Sequence, residues 1–231
     1  MNKTKIEWCD YTINPVKGLC PMACSYCYAR RMYKRFKWDT RIRFENWHRD
    51  LHKIAILQEP SRIFIGSTIE LFGDWVEPRW LKRIFETVKL YQAHTFIFLT
   101  KQPQNLIKWS PFPDNCWVGV SATDSQMFVG ALYYLKQIEA KIKYISLEPL
   151  LERIIMPSHD KLKYQNYFQG INWLIIGSQT QPVRHPPREW VDEIITAAYN
   201  ANIPVFVKEP MASHFNIHRQ EFPLTTPLEV K

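Results

Sequence analysis

From about residue 60 onward, short runs of β-branched and aromatic residues alternate with longer segments in which apolar positions recur at helical spacing. The runs at 62–68, 95–100, 117–121, 143–147, 173–177 and 204–207 are the strand candidates, and most are almost wholly apolar, which predicts parallel strands covered on both faces. Helices are predicted at 78–91, 125–140 and 188–200. In the last, Trp190, Ile194, Ile195 and Ala198 define the apolar stripe, while Asp192 and Glu193 fall elsewhere on the turn. An earlier strand lies within 11–16, kept short and irregular by Pro15. The rhythm is βαβα with six or seven largely parallel strands, so the expected fold is α/β, a partial (β/α) barrel resembling a TIM barrel. A doubly wound open sheet is the alternative, but it would normally carry a glycine-rich phosphate turn after its first strand, and no such turn is present. A length of 231 residues, with no internal repeat and no Gly-, Ser- or Pro-rich linker, points to one domain over 1–231.

Composition narrows the function classes. No stretch approaches the roughly 18 consecutive apolar residues of a membrane span, and Met1 to Lys5 lack the apolar run of a signal peptide, so no membrane partner and a cytoplasmic location are expected. The formal charge of +8 is concentrated: Arg30, Arg31, Lys34, Arg35, Lys37, Arg41, Arg43 and Arg49 face only Asp39 and Glu45 over 30–49. Tyr33, Phe36, Trp38, Phe44 and Trp47 interleave with these cations, a mixture suited to phosphate contact plus base stacking. A nucleic acid is therefore an expected partner, with Arg30, Arg31, Lys34 and Arg35 on the segment that follows the cysteine loop. The competing reading is a solvated amphipathic helix whose aromatics belong to the core.

Three of the five cysteines fall within eight residues, in the loop 18–29, as Cys20, Cys24 and Cys27 with C-x3-C-x2-C spacing. A secreted disulfide scaffold would disperse an even number, so metal or redox chemistry is the better reading. Three thiolates on one tight loop can hold three irons of a [4Fe–4S] cubane and leave the fourth iron open to a small molecule. Zinc with a fourth ligand is a competing site, but the next histidine downstream is His48. Cys9 as a fourth cluster ligand also competes, as does a set of three inert buried thiols. Cys116 opens an apolar strand and reads as a buried hydrophobe. His94, His185, His214 and His218 carry no catalytic signal.

With Tyr26 as the aromatic before the third cysteine, the motif resembles that of the radical S-adenosylmethionine superfamily. Ile6-Glu7-Trp8, Thr12, Asn14-Pro15, Gly18, Phe98-Leu99-Thr100-Lys101, Val118-Gly119-Val120-Ser121, Ser146-Leu147-Glu148-Pro149-Leu150 and Phe206-Val207-Lys208 extend the likeness to an uncharacterised phage-associated subfamily over nearly the whole chain. The resemblance implies that the open iron chelates S-adenosylmethionine through its amino and carboxylate groups. It also implies reductive cleavage to a 5′-deoxyadenosyl radical, hydrogen abstraction from substrate, and an electron donor such as flavodoxin or ferredoxin. The end of the second strand, Gly66-Ser67-Thr68, matches the place where members contact the methionine amino group, with Glu70 beside it. Where members carry Gly-Gly-Glu-Ser-Gly this chain has Gly177-Ser178-Gln179-Thr180-Gln181, which lacks the carboxylate that an acid/base role there would need.

In a (β/α) barrel the carboxyl ends of the strands form one mouth, so polar residues there are site candidates. Ser121 and Glu148 are expected to bind cofactor, Glu148 because a carboxylate between an apolar strand and a proline is costly to bury without a partner. Lys101 and Lys208 are expected to bind substrate, or to pair with Glu148 as structural salt bridges. The expected substrate is a nucleic-acid base or nucleotide, for modification or repair. The alternative function is a nucleic-acid-binding protein with a structural zinc or Fe–S site and no turnover.

Overall fold

The structure is a computed structural model that describes residues 1–156 and 161–223. It is mixed α/β, with a large, mostly parallel sheet of eight strands. Two compact units divide the chain, one made of residues 1–120 and 137–141, the other of 121–136 and 142–231.

In chain order, the first unit carries β1 (Asn2–Lys3), β2 (Tyr11–Ile13), β3 (Val16–Lys17), α1 (Tyr28–Phe36), β4 (Arg43–Phe44), α2 (Trp47–Ala55), β5 (Arg62–Ile65), α3 (Pro78–Val88), β6 (Thr95–Thr100), a 3₁₀ turn (Pro103–Trp109) and β7 (Cys116–Ser121). Strands β2, β5, β6 and β7 run parallel, and β1 is antiparallel to β2. The early strand stops at Ile13, because Asn14 turns its side chain to Ser67 and Thr68. Val16–Lys17 then pairs instead with Arg43–Phe44 in a separate antiparallel ribbon. Likewise the apolar run 62–68 ends as a strand at Ile65, where Gly66 takes φ +86°, a backbone conformation that disfavours any side chain. Helix α3 starts with Pro78 in its first turn and buries Leu81, Ile84, Phe85 and Val88, a 3.6-residue stripe. Phe85 packs on Phe98 and Phe112, and Phe72 joins the same ring cluster.

The second unit carries α4 (Ser125–Leu135), β8 (Ile142–Leu147), α5 (Lys161–Tyr167), β9 (Trp173–Ile176), β10 (Gln179–Thr180), β11 (Val183–Arg184), α6 (Arg188–Asn200), β12 (Val205–Val207) and α7 (Met211–Phe215). Strand β9 pairs in parallel with β8 on one side and with β12 on the other. Asp124 caps α4, its carboxylate accepting from the Met127 N–H at 2.8 Å. In α6 the buried positions are Val191, Ile194, Ala197 and Ala198, so the face in the core is turned from the one expected, and Trp190 and Ile195 stand at its margin. The segment 179–184 forms the β10–β11 hairpin.

Within the first unit the strands of the large sheet follow the order β1-β2-β5-β6-β7, and within the second β8-β9-β12. In each unit the order follows the chain and does not reverse, so neither unit shows the topological switch point of a doubly wound sheet among its described strands. Among the described residues no helix is long and apolar enough to cross a membrane.

Candidate functional site

The cysteine loop is built by local constraints on both sides. Gly18 sits at φ +126°, and a Cβ there would lie 2.7 Å from the Arg41 carbonyl oxygen, so only glycine lets the two backbones approach. The Gly18 N–H donates to the Tyr33 hydroxyl at 2.8 Å, and the Leu19 N–H donates to the Thr40 carbonyl at 3.0 Å. At its far end the loop runs directly into α1. Cys27 is the N-cap of that helix and its Sγ accepts from the Arg30 N–H at 3.5 Å. Cys20 Sγ accepts from the Glu70 N–H at 3.4 Å. All three thiols are half-buried. Burial pushes the Cys20 thiol up, while the Glu70 and Met22 backbone N–H groups pull it down.

The side chains of the first unit close around this loop. Arg30 donates to the Cys20 carbonyl at 2.8 Å and Arg31 to the Tyr26 carbonyl at 3.4 Å. The Lys101 ammonium lies 5.5 Å from the Tyr26 ring centroid, and the Gln102 amide reaches the Met22 sulfur at 3.3 Å. The Tyr28 hydroxyl donates to the Ser67 carbonyl at 2.7 Å. The Asn14 side-chain amide engages the Ser67 hydroxyl at 3.1 and 3.2 Å and accepts from the Thr68 N–H at 3.1 Å. Ser67, Thr68, Glu70, Lys101 and Tyr26 are thus brought together at the cysteine loop.

Glu70 is buried, and its carboxylate receives three donors. Oε1 accepts from the Thr100 hydroxyl at 2.7 Å and the Phe72 N–H at 3.0 Å, and Oε2 accepts from the Lys101 N–H at 2.6 Å. Desolvation raises its pKa against those donors. Glu70 therefore ties the end of β6 to the segment after β5, and its own N–H reaches Cys20.

The basic segment 30–49 divides. Arg30 and Arg31 turn back onto the loop, whereas Lys34 and Arg35 are exposed. Tyr33 and Trp47 are core residues, but Phe36 and Trp38 are 51% and 43% exposed and stack on each other at 5.5 Å. Cys9 is buried before the start of β2, whereas Asn14 and Ser67 lie beyond the carboxyl ends of β2 and β5. Cys116 is buried at the start of β7 and its thiol pKa is pushed up by desolvation.

Ser121, the last residue of β7 and the first of the second unit, is buried. Glu148 follows β8, Lys208 follows β12, and the two form an ion pair whose side chains are 25% and 12% exposed. Gly177 follows β9, and a Cβ there would lie 3.0 Å from Glu148 Cγ. Sequence reasoning missed a third group: the Ser178 hydroxyl is hydrogen-bonded to His185 Nδ1 at 2.7 Å, and the His185 ring stacks on His214 at 3.9 Å. Ser178 and His185 flank the β10–β11 hairpin and His214 lies on α7, so no single motif spacing marks the group.

Among the described residues no three His, Cys, Asp or Glu side chains converge on a position for a single ion. A cubane makes a different demand, because each thiolate takes its own iron and the ligands stand further apart than around one tetrahedral ion. The donor set suits it: three thiols on one loop, with backbone N–H groups directed at two of the sulfurs.

Residues 3–219 match the family described as "Protein of unknown function (DUF5131)". No curated protein and no solved structure matches the chain.

Proposed function

We propose, for a chain that belongs to the DUF5131 family over residues 3–219, that it is a radical S-adenosylmethionine enzyme acting on a nucleic-acid base or nucleotide. The observation that carries the proposal is the loop holding Cys20, Cys24 and Cys27, with backbone N–H groups directed at Cys20 Sγ and Cys27 Sγ. These three thiolates would hold three irons of a [4Fe–4S] cluster and leave the fourth to S-adenosylmethionine. Bound there, the cluster would supply the electron that cleaves the sulfonium to a 5′-deoxyadenosyl radical, delivered to it by a flavodoxin- or ferredoxin-like donor.

The chain's own residues prepare the place. Arg30 fixes the Cys20 carbonyl, and Glu70, through its buried carboxylate, holds the β6 end against the loop. Ser67 and Thr68, oriented by Asn14, are the polar groups offered at the end of β5 to the methionine amino group. Lys101 lies over Tyr26 and supplies positive charge beside the loop for a carboxylate or phosphate. Lys34 and Arg35, exposed on α1, are the cations available to a nucleic-acid backbone. The unreversed strand order within each unit supports the finer architecture proposed with this function, a partial (β/α) barrel. Thiolate–iron chemistry of this kind also favours a reducing compartment, the cytoplasm.

The test is anaerobic reconstitution with iron and sulfide, then dithionite and S-adenosylmethionine, with chromatography for 5′-deoxyadenosine in the absence of any nucleic acid. The expected result is deoxyadenosine from the wild type and none from Cys20→Ala, Cys24→Ala or Cys27→Ala, with Cys9→Ser retaining activity. Near-stoichiometric zinc with no deoxyadenosine would replace this reading with a structural metal site in a binding protein.

A further inference from the structure

Strand β4 and helix α3 frame an open cleft of about 510 Å³ lined by Phe44, Arg79, Trp80 and Arg83. That volume falls within the roughly 300–1,000 Å³ of small-ligand sites. The Phe44 and Trp80 rings are within 16° of parallel with centroids 5.9 Å apart, and the Arg83 guanidinium lies 5.9 Å from the Phe44 centroid. The aromatic layer beneath is already complete. Trp47 is 2% exposed, contacts Phe44, and donates from Nε1 to the Thr87 hydroxyl at 3.3 Å. Phe44 and Trp80 are only half-buried above it, so their remaining ring surface faces the cleft.

The charge at this cleft is positive. Glu77 pairs with Arg79, but Arg83 is hydrogen-bonded to His48 Nε2 at 2.8 Å, and among the described residues it has no carboxylate partner. Parallel rings bordered by guanidinium groups match a nucleobase face and its phosphate together. In a duplex the base faces are occupied by their neighbours, whereas a single strand offers them. A second ring pair on the same unit, Phe36 with Trp38, carries the Arg35 guanidinium 5.3 Å from the Phe36 centroid. Two such platforms suit an extended strand better than a free nucleotide.

We propose that the Phe44–Trp80 cleft, flanked by Arg79 and Arg83, is a stacking and phosphate subsite for single-stranded nucleic acid. It rests on the nucleic-acid part of the proposed function and is independent of the cluster.

The test uses full-length protein without reconstitution, fluorescein-labelled 20-mers of oligothymidylate and oligouridylate, and a duplex DNA of equal length, with anisotropy followed against salt. One or both single strands should bind more tightly than the duplex, and the two single-strand arms distinguish DNA from RNA. Trp80→Ala should weaken binding by about tenfold or more, the loss of one stacked base, while Trp80→Phe retains most of it. Arg79→Ala with Arg83→Ala should lower the slope of log K against log salt by about 1.4, from about 0.7 per phosphate contact on single strands. Those two cations are exposed, so this variant keeps the fold even if Trp80→Ala does not. The charge-matched control Lys136→Ala with Lys141→Ala should keep the wild-type slope. Absence of single-strand binding, duplex binding as tight as single-strand binding, an unchanged slope in the arginine variant, or an equal loss in the control would overturn the proposal. Deoxyadenosine formation without oligonucleotide is read separately, so failure of the cluster reading and failure of the cleft are distinguishable.

Discussion

Replacing Glu70 by glutamine tests whether its carboxylate is the tie between β6 and the cysteine loop. The carboxylate accepts from Phe72 N–H and the Thr100 hydroxyl on one oxygen and from Lys101 N–H on the other. Glutamine has one oxygen, so one amide orientation sets its NH₂ against the Lys101 N–H and the other sets it against the Phe72 N–H. The Thr100 hydroxyl can rotate to accept, but a backbone donor loses its partner in either orientation. Leaving one buried donor unpaired costs about 1–3 kcal/mol, and removing the desolvated charge offsets part of that at neutral pH. Urea denaturation at pH 7 should therefore show Glu70→Gln destabilised within that range, and Glu70→Ala more so, since it strands three donors and opens a cavity. Because the Glu70 N–H also reaches Cys20 Sγ, the reconstituted Glu70→Gln protein should lose iron faster than wild type. A glutamine variant as stable as wild type would refute the three-donor account.

Two further outcomes follow from the same geometry. Glu148→Gln leaves Lys208 largely buried without its counter-charge and should cost on the order of 3 kcal/mol in urea denaturation, whereas Glu148→Gln combined with Lys208→Met should recover much of that loss; equal losses in the single and double variants would count against a coupled pair. His94 accepts the Ser61 N–H at Nδ1, and desolvation lowers its pKa below 6.5. The unfolded state then binds the extra proton first, so this contribution to stability is present above about pH 6.5 and is lost as pH falls, by at most about 1.4 kcal/mol per pH unit. Unfolding free energies at pH 7.5 and 5.5 should show that acid loss reduced in His94→Gln.

Much of the architecture was legible because it rests on local pattern. The apolar runs at 95–100 and 173–177 became β6 and β9 within a residue, and 188–200 became α6, since strand and helix periodicities are properties of neighbouring residues. Strand ends were harder to read. The run 62–68 stops at Ile65 because Gly66 and Asn14 redirect the chain, and Asn14 acts across more than fifty positions. The two-residue strands of the β10–β11 hairpin carry too short a pattern to detect.

At the site, the sequence by itself determined the three thiols and their spacing and a concentration of cations just after them. Only tertiary structure decided which of those cations serve the loop and which face solvent, that Glu70 spends its carboxylate on three internal donors, that Glu148 takes Lys208 as its partner, and that Phe44 meets Trp80 beside Arg83. The physical reason is separation along the chain. Spacing within one loop or helix turn is set by backbone geometry, whereas a hydrogen bond, an ion pair or a ring contact between distant segments exists only once packing has brought them within a few ångströms.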